Sequence, residues 1–194
     1  ADLEREKKVE QIVEENLATW QEQGLVPDMA IEPGAKTDEP IRTRGWRYWH
    51  QLFNPRQLIF LAITQRYVNT WKHFEQAVLS ITLCRVLNLS AKLCMLNPAP
   101  GPGRLPKVDH IFTNQAFNVF WNYGVRASWY SIESGQVPID IDAECNSLSY
   151  IGNLNASESK EVSDIFLTDP PYADAIHYEE ITEFFIAWLR KNPP

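Results

Sequence analysis

Cysteine is scarce in this sequence and scattered. The 194 residues hold three, Cys84, Cys94 and Cys145, with no Cys-x-x-Cys pair. That pattern excludes a disulfide framework and a zinc site built by this chain, and a reducing, cytoplasmic compartment is expected. His50, His73 and His110 show no metal-ligand spacing either. Long apolar runs are missing as well: the best, Leu58 to Ile63, is far shorter than the ~20 residues a membrane span needs. Ala1 opens a strongly charged helical pattern, so no secretory signal is expected. Nor is there an excess of base. Lys and Arg number 18 against 25 Asp and Glu, for a net charge of −7. A protein that grips DNA phosphates over a broad surface usually carries the opposite balance, so any DNA contact should be local.

What is present suits a single globular body. Hydrophobic residues make up 44% of the chain, and 13 prolines with seven tryptophans imply fixed turns and large aromatic anchors rather than disorder. Val9, Ile12, Val13, Leu17 and Trp20 recur at helical spacing and predict a helix over residues 2–23, stopped by Gly24 and Pro27. Residues 25–53, with Pro27, Pro33-Gly34 and Pro40, read as an ordered connector with turns. Asn54-Pro55 is a helix start, since Asn caps free amides and Pro suits the first helical position. Helix then runs to about Leu89, with a break near Asn69-Thr70. The proline- and glycine-rich segment 97–103 must be a loop. Phe112 to Tyr123 reads as a further helix whose aromatic Phe117 to Trp121 stretch belongs in a core. Beyond Gly124 the pattern turns to β, with candidate strands at Ala127 to Ile132, Ile139 to Ile141, Leu148 to Ile151 and, most clearly, Val162 to Thr168. Ile181, Phe184, Phe185, Trp188 and Leu189 mark a last amphipathic helix from about Tyr178 to Arg190. The division expected is a helical region over 1–126 and an α/β segment over 127–194, in one compact unit.

The sharpest signal is Asp169-Pro170-Pro171-Tyr172, directly after the apolar run Ile165-Phe166-Leu167. The end of a buried strand is where an open α/β sheet places its chemistry. The residue types fit methyl transfer to the exocyclic amine of a nucleic-acid base. Such an amine is a poor nucleophile because its lone pair is delocalised into the ring. A carboxylate at Asp169 can accept one N–H and the main-chain carbonyl of Pro170 the other, which turns the lone pair towards a methyl donor. Two successive prolines fix two φ angles, so the carbonyl direction is set by rigid backbone. Tyr172 offers a flat face to a base drawn out of the helix. Read without chemistry, the same tetrapeptide is a turn that ends a strand.

Thr168 to Ile176, followed by Phe184-Phe185-Ile186-Ala187-Trp188-Leu189, resembles large prokaryotic DNA methylases of the adenine-specific type, some of which carry a zinc ribbon. Phe53-Asn54-Pro55-Arg56-Gln57-Leu58 resembles their Phe-Thr-Pro-Arg-Gln-Leu signature, and Phe112-Thr113-Asn114-Gln115-Ala116-Phe117 is similar to another of their segments. The resemblance spans roughly residues 10–190. It implies an α/β fold, with a partial Rossmann-like methyltransferase sheet in the C-terminal part behind a helix-rich N-terminal region. It also implies S-adenosylmethionine as methyl donor, DNA as partner, adenine N6 as target, and a catalytic motif at Asp169, Pro170, Pro171 and Tyr172, with Thr168 and Asp169 bordering the cofactor. Cytosine N4 presents the same amine geometry. The family's second signature, the glycine turn Asp-Pro-Phe-x-Gly-x-Gly, does not occur here, and Gly101-Pro102-Gly103 follows no strand. The resemblance therefore implies the later part of a longer enzyme, needing an N-terminal methyltransferase part or a complementary chain, and inactive alone. The zinc-ribbon cysteines do not occur either.

One stretch interleaves cations with aromatics: Arg42-Thr43-Arg44-Gly45-Trp46-Arg47-Tyr48-Trp49-His50. Arg42, Arg44, Arg47 and Arg56 can meet phosphates, and Trp46 can stack on bases. Equally, Trp46, Tyr48 and Trp49 can pin the connector to the helices while the arginines pair with acids. His177 and Tyr178, just past the motif, can border a base pocket or simply open the last helix. A competing function is a non-catalytic nucleic-acid-binding or protein-interaction module derived from a methyltransferase.

Overall fold

Capping chemistry sets the helix ends. The computed structural model describes residues 2–35, 37–97, 107–111, 152, 155–160, 162–169 and 178–194. Helix α1 covers Asp2–Glu22 and buries Val13 and Trp20, two positions of the expected apolar stripe. It closes in a Schellman turn: the Leu25 amide donates to Trp20 O at 2.8 Å and the Gly24 amide to Gln21 O at 3.1 Å. Gly24 takes φ 71, the left-handed conformation this turn requires of its C′ residue. Leu25 and Trp20, the two ends of the motif, are both buried.

The connector contains more regular structure than its sequence suggests. Helix α2 spans Asp38–Arg44, with Asp38 and Glu39 in its first turn, Arg42 and Arg44 in its last, and Gly45 at φ 70 as its stop. Those charges complement the helix dipole at both ends, and together with Gly45 they are a signal the proline-based reading passed over. A 3-10 turn, Trp49–Leu52, follows. Helix α3 (Pro55–Val68) starts where Asn54-Pro55 places it, through a complete capping box: Asn54 Oδ1 accepts from the Gln57 amide at 2.9 Å, and the Asn54 amide donates to Gln57 Oε1 at 2.8 Å. After the break at Asn69-Thr70, α4 runs over His73–Ser90.

Two units partition the chain, Ala1–Gln136 with His177–Pro194 and Val137–Ile176. In the first, α1 packs on α3, α3 on α4, and α4 on the last helix, α5 (Tyr178–Leu189). Its centre is aromatic. Phe184 meets Trp49 edge-on at 5.7 Å and stacks on Phe53 at 6.1 Å, while Trp188 meets Phe53 edge-on at 5.3 Å. All four rings are buried. Past α5, Lys191 Nζ donates to Gln21 O at 2.6 Å and Asn192 Nδ2 to Gln23 O at 3.0 Å. Gln23 O is thereby paired, and Gln21 O, which already accepts from the Gly24 amide, gains a second donor.

The expected α/β class is not what forms. The described residues are helix-rich, and their strand pairing is one two-stranded antiparallel ladder, β1 (Met95–Asn97) with β2 (Lys107–Asp109), beside an isolated bridge between Ala30 and Tyr48. Among them there is no Rossmann-like methyltransferase sheet. The segment 162–168 forms no strand; Val162, Ile165, Phe166 and Leu167 are all exposed. An apolar run becomes a strand only when a neighbour takes its N–H and C=O groups, and no neighbour among the described residues does so. The candidate strands at 127–132, 139–141 and 148–151 and the helix at 112–123 lie outside the described residues.

Candidate nucleic-acid interface

The basic, aromatic connector is held as a distinct surface of the first unit. The Ile31 amide donates to Arg47 O at 2.9 Å, and the Trp49 amide to Met29 O at 3.3 Å. Gln51 Oε1 accepts from the amides of Arg47 at 2.6 Å and Tyr48 at 3.1 Å. With its backbone tied on both sides, the stretch presents its side chains from a fixed frame. Arg42, Arg44 and Arg47 are exposed. Trp46 is half-buried against the core, whereas Trp49 is part of the core. Tyr48 is exposed and stacks on His50 at 5.7 Å with the rings 22° apart.

Sequence reasoning missed a member of this cluster. Lys92 arrives from the end of α4, 41 residues away, and its ammonium donates to Gln51 O at 3.0 Å while lying 5.4 Å above the Trp46 ring. Burial lowers its pKa. No local pattern links Lys92 to Trp46; folding alone brings them together, with the Lys92 amide donating to Leu52 O at 2.8 Å as the backbone tie. Trp46 therefore already spends one ring face on a cation. His50 is set deeper. Its Nδ1 donates to Pro27 O at 3.1 Å, a carbonyl that also accepts from Gln21 Nε2 at 3.0 Å. Burial pushes its pKa down, a drop that the Pro27 hydrogen bond opposes and the charge of Lys92 reinforces.

Arg56 serves the fold. It pairs with Glu6 of α1 at 2.5 Å, so the cation in the first turn of α3 is matched by an acid, and that hydrogen bond raises the guanidinium's pKa. Thr168 and Asp169 end the exposed segment 162–169 in the second unit, and both are exposed. Pro170, Pro171, Tyr172 and His177 lie outside the described residues, as does the side chain of Tyr178, the first residue of α5. The structure thus brings Arg42, Arg44, Trp46 and Arg47 onto one segment, places Arg56 in an inter-helix ion pair, and holds Asp169 in the other unit.

Nucleophilic chemistry by the described thiols is disfavoured. Burial pushes Cys84 up to about 11 and Cys94 up to about 12, so both stay protonated at neutral pH. Among the described residues, no group of three His, Cys, Asp or Glu side chains is placed to hold a metal ion, and no helix is long and apolar enough to cross a membrane. Comparison with known protein families, curated proteins and solved structures yields no match.

Proposed function

We propose that this chain is part of an amino-group DNA methyltransferase, with adenine N6 as its target, and that it supplies the base-handling side of the reaction. The observation that carries this reading is Asp169-Pro170-Pro171-Tyr172 itself, whose carboxylate stands exposed at the end of the segment 162–169. An exposed carboxylate is free to accept an N–H from a base that has left its stack. The Pro170 carbonyl takes the second N–H, and Tyr172 stacks on the ring. Orientation of the amine, rather than strong base catalysis, is the contribution asked of these residues.

Among the described residues, Gly24 and Gly34 form no glycine turn for S-adenosylmethionine. A Cβ added at Gly24 would meet Asn192 Nδ2 at 2.4 Å, and one at Gly34 would meet the Glu180 carboxyl carbon at 2.5 Å. Those glycines cradle the chain's own side chains, and Gly45 faces open space. With no Asp-Pro-Phe-x-Gly-x-Gly in the sequence, this reading has the donor held by a part or partner outside these 194 residues, and the chain alone should bind it weakly or not at all.

The test is mass spectrometry of nucleosides after unmethylated DNA is incubated with the full-length protein and S-adenosylmethionine. N6-methyladenine is expected from the wild type, with at least a 100-fold loss in Asp169→Ala, the order of effect for a group that positions the reacting atoms. Unchanged methylation in that variant would sink the assignment.

A second reading, a nucleic-acid-binding module without catalysis, draws on the connector surface: exposed Arg42 and Arg47, with Lys92 over Trp46. It predicts DNA binding that Arg42→Gln/Arg47→Gln weakens, with no methylated nucleoside under any condition.

A further inference from the structure

The turn between α3 and α4 exposes large aromatic surface that the fold does not use. Tyr67 is 56% exposed, Trp71 40% and Phe74 66%. Tyr67 and Trp71 meet edge to face, 6.1 Å apart at 72°. In such a pair each ring keeps at least one face clear of the other. Arg66, Lys72 and His73 are exposed in the same nine residues. The turn is tight, with His73 at φ 54 in the left-handed region.

Charge on this hairpin runs against that of the chain. Between Pro55 and Ser90 the basic residues are Arg56, Arg66, Lys72 and Arg85, and the one acid is Glu75, in a sequence whose net charge is −7. Arg56 is tied to Glu6. Arg66, Lys72 and Arg85 are exposed and make no ion pair among the described residues. Exposed Ile63 and Ile81 on the same two helices are atoms that a protein partner would also cover. The basic surround, however, selects an acidic polymer, and clustered rings with open faces select one that carries flat bases.

We propose that the tip of the α3–α4 hairpin, Arg66 to Phe74, binds single-stranded nucleic acid. Bases stack on Tyr67, Trp71 and Phe74, and backbone phosphates lie against Arg66 and Lys72. The site deepens the methyltransferase reading by naming a place where a displaced strand is held. It rests on that reading only for the choice of DNA, because none of its residues belongs to the Asp169 motif.

Fluorescence anisotropy of a labelled 20-nucleotide oligo-dT, titrated with the full chain between 50 and 200 mM salt, tests the site. The wild type is expected to bind at low salt, and Tyr67→Ala/Trp71→Ala to bind at least tenfold more weakly. Arg66→Gln/Lys72→Gln should lower the slope of log affinity against log salt by about 1.4, at ~0.7 per phosphate on a single strand. Circular dichroism checks the helices. Phe74→Ala, outside the Tyr67–Trp71 contact, should weaken binding severalfold and carries the test if the double aromatic variant loses helical signal. Three results overturn the proposal: no oligonucleotide binding by the wild type, wild-type affinity in the aromatic variants, or wild-type self-association in sedimentation that these variants abolish. Equal affinity for a duplex would overturn the single-strand assignment. Absence of methylation with tip-dependent binding intact would sink the Asp169 reading alone.

Discussion

Gln57 works at both ends of the α3–α4 hairpin. Its amide and side-chain oxygen close the capping box with Asn54, and its Nε2 donates to Ser90 O in the last turn of α4. The side chain is buried, so each of those partners depends on it rather than on water. Gln57→Leu keeps nearly the same volume and loses every side-chain hydrogen bond. It leaves the Asn54 amide and the Ser90 carbonyl without their donor or acceptor, at a cost of about 1–3 kcal/mol for each group that stays buried. A loss of unfolding free energy of that order, read as a lower urea midpoint at unchanged slope, is expected in equilibrium unfolding. A neutral substitution would show that water replaces the lost partners. Arg56 makes the contrasting case: its pair with Glu6 is open to solvent on both sides, so salt should screen it and its removal should cost little.

At the scale of elements, Gly24 joins the end of α1 to the residues after α5. It holds φ 71 for the Schellman turn, and a Cβ there would stand 2.6 Å from that of Lys191. Gly24→Ala therefore carries about 1–2 kcal/mol of left-handed strain and must also displace Lys191 and Asn192 from the carbonyls they satisfy. Loss of amide protection at Asn192, whose N–H donates to Leu189 O at 3.1 Å, would report that displacement by hydrogen exchange; Gly24→Asn eases the left-handed strain but brings the same Cβ against Lys191 and Asn192, so it should lose that protection too. The same turn explains what the sequence makes legible. Gly24, the Asn54-Pro55 start and the break at Asn69-Thr70 were readable because each is decided by a few neighbouring residues. Helix α2 is equally local, with acids in its first turn, bases in its last and Gly45 as its stop, although Pro33 and Pro40 nearby favour turns. The segment 162–168 failed for the opposite reason: apolar residues qualify it as a strand, but only a distant partner can make it one. Lys92 over Trp46 was illegible too, since nothing within either neighbourhood records the other.

For the molecule as a whole, acid should loosen the fold before it touches most carboxylates. Burial lowers the pKa of His50 below the usual value of 6.5, so the unfolded chain takes up that proton at a higher pH than the folded one. Stability contributed by the neutral ring is complete above 6.5 and is lost as pH falls through the depressed folded value. Asp28 has the same sign in a lower window. The hydrogen bond from Lys191, 2.6 Å away, lowers its pKa from 3.8, assisted by Arg190 against some burial, so its contribution is lost only in stronger acid. Glu183 has the opposite sign: burial, then Glu32 and Glu180, raise it above 4.5, and its contribution is lost as pH rises through that raised value. Lys92, lowered by burial from 10.5, adds its slope on the alkaline side. Just below pH 6.5 the slope from these four groups is therefore set by His50. The urea midpoint should fall between pH 7 and 5.5, and His50→Gln, which can still donate to Pro27 O, should flatten the dependence without lowering the plateau above pH 7. A slope that persists in His50→Gln would place the acid-sensitive group elsewhere in the chain.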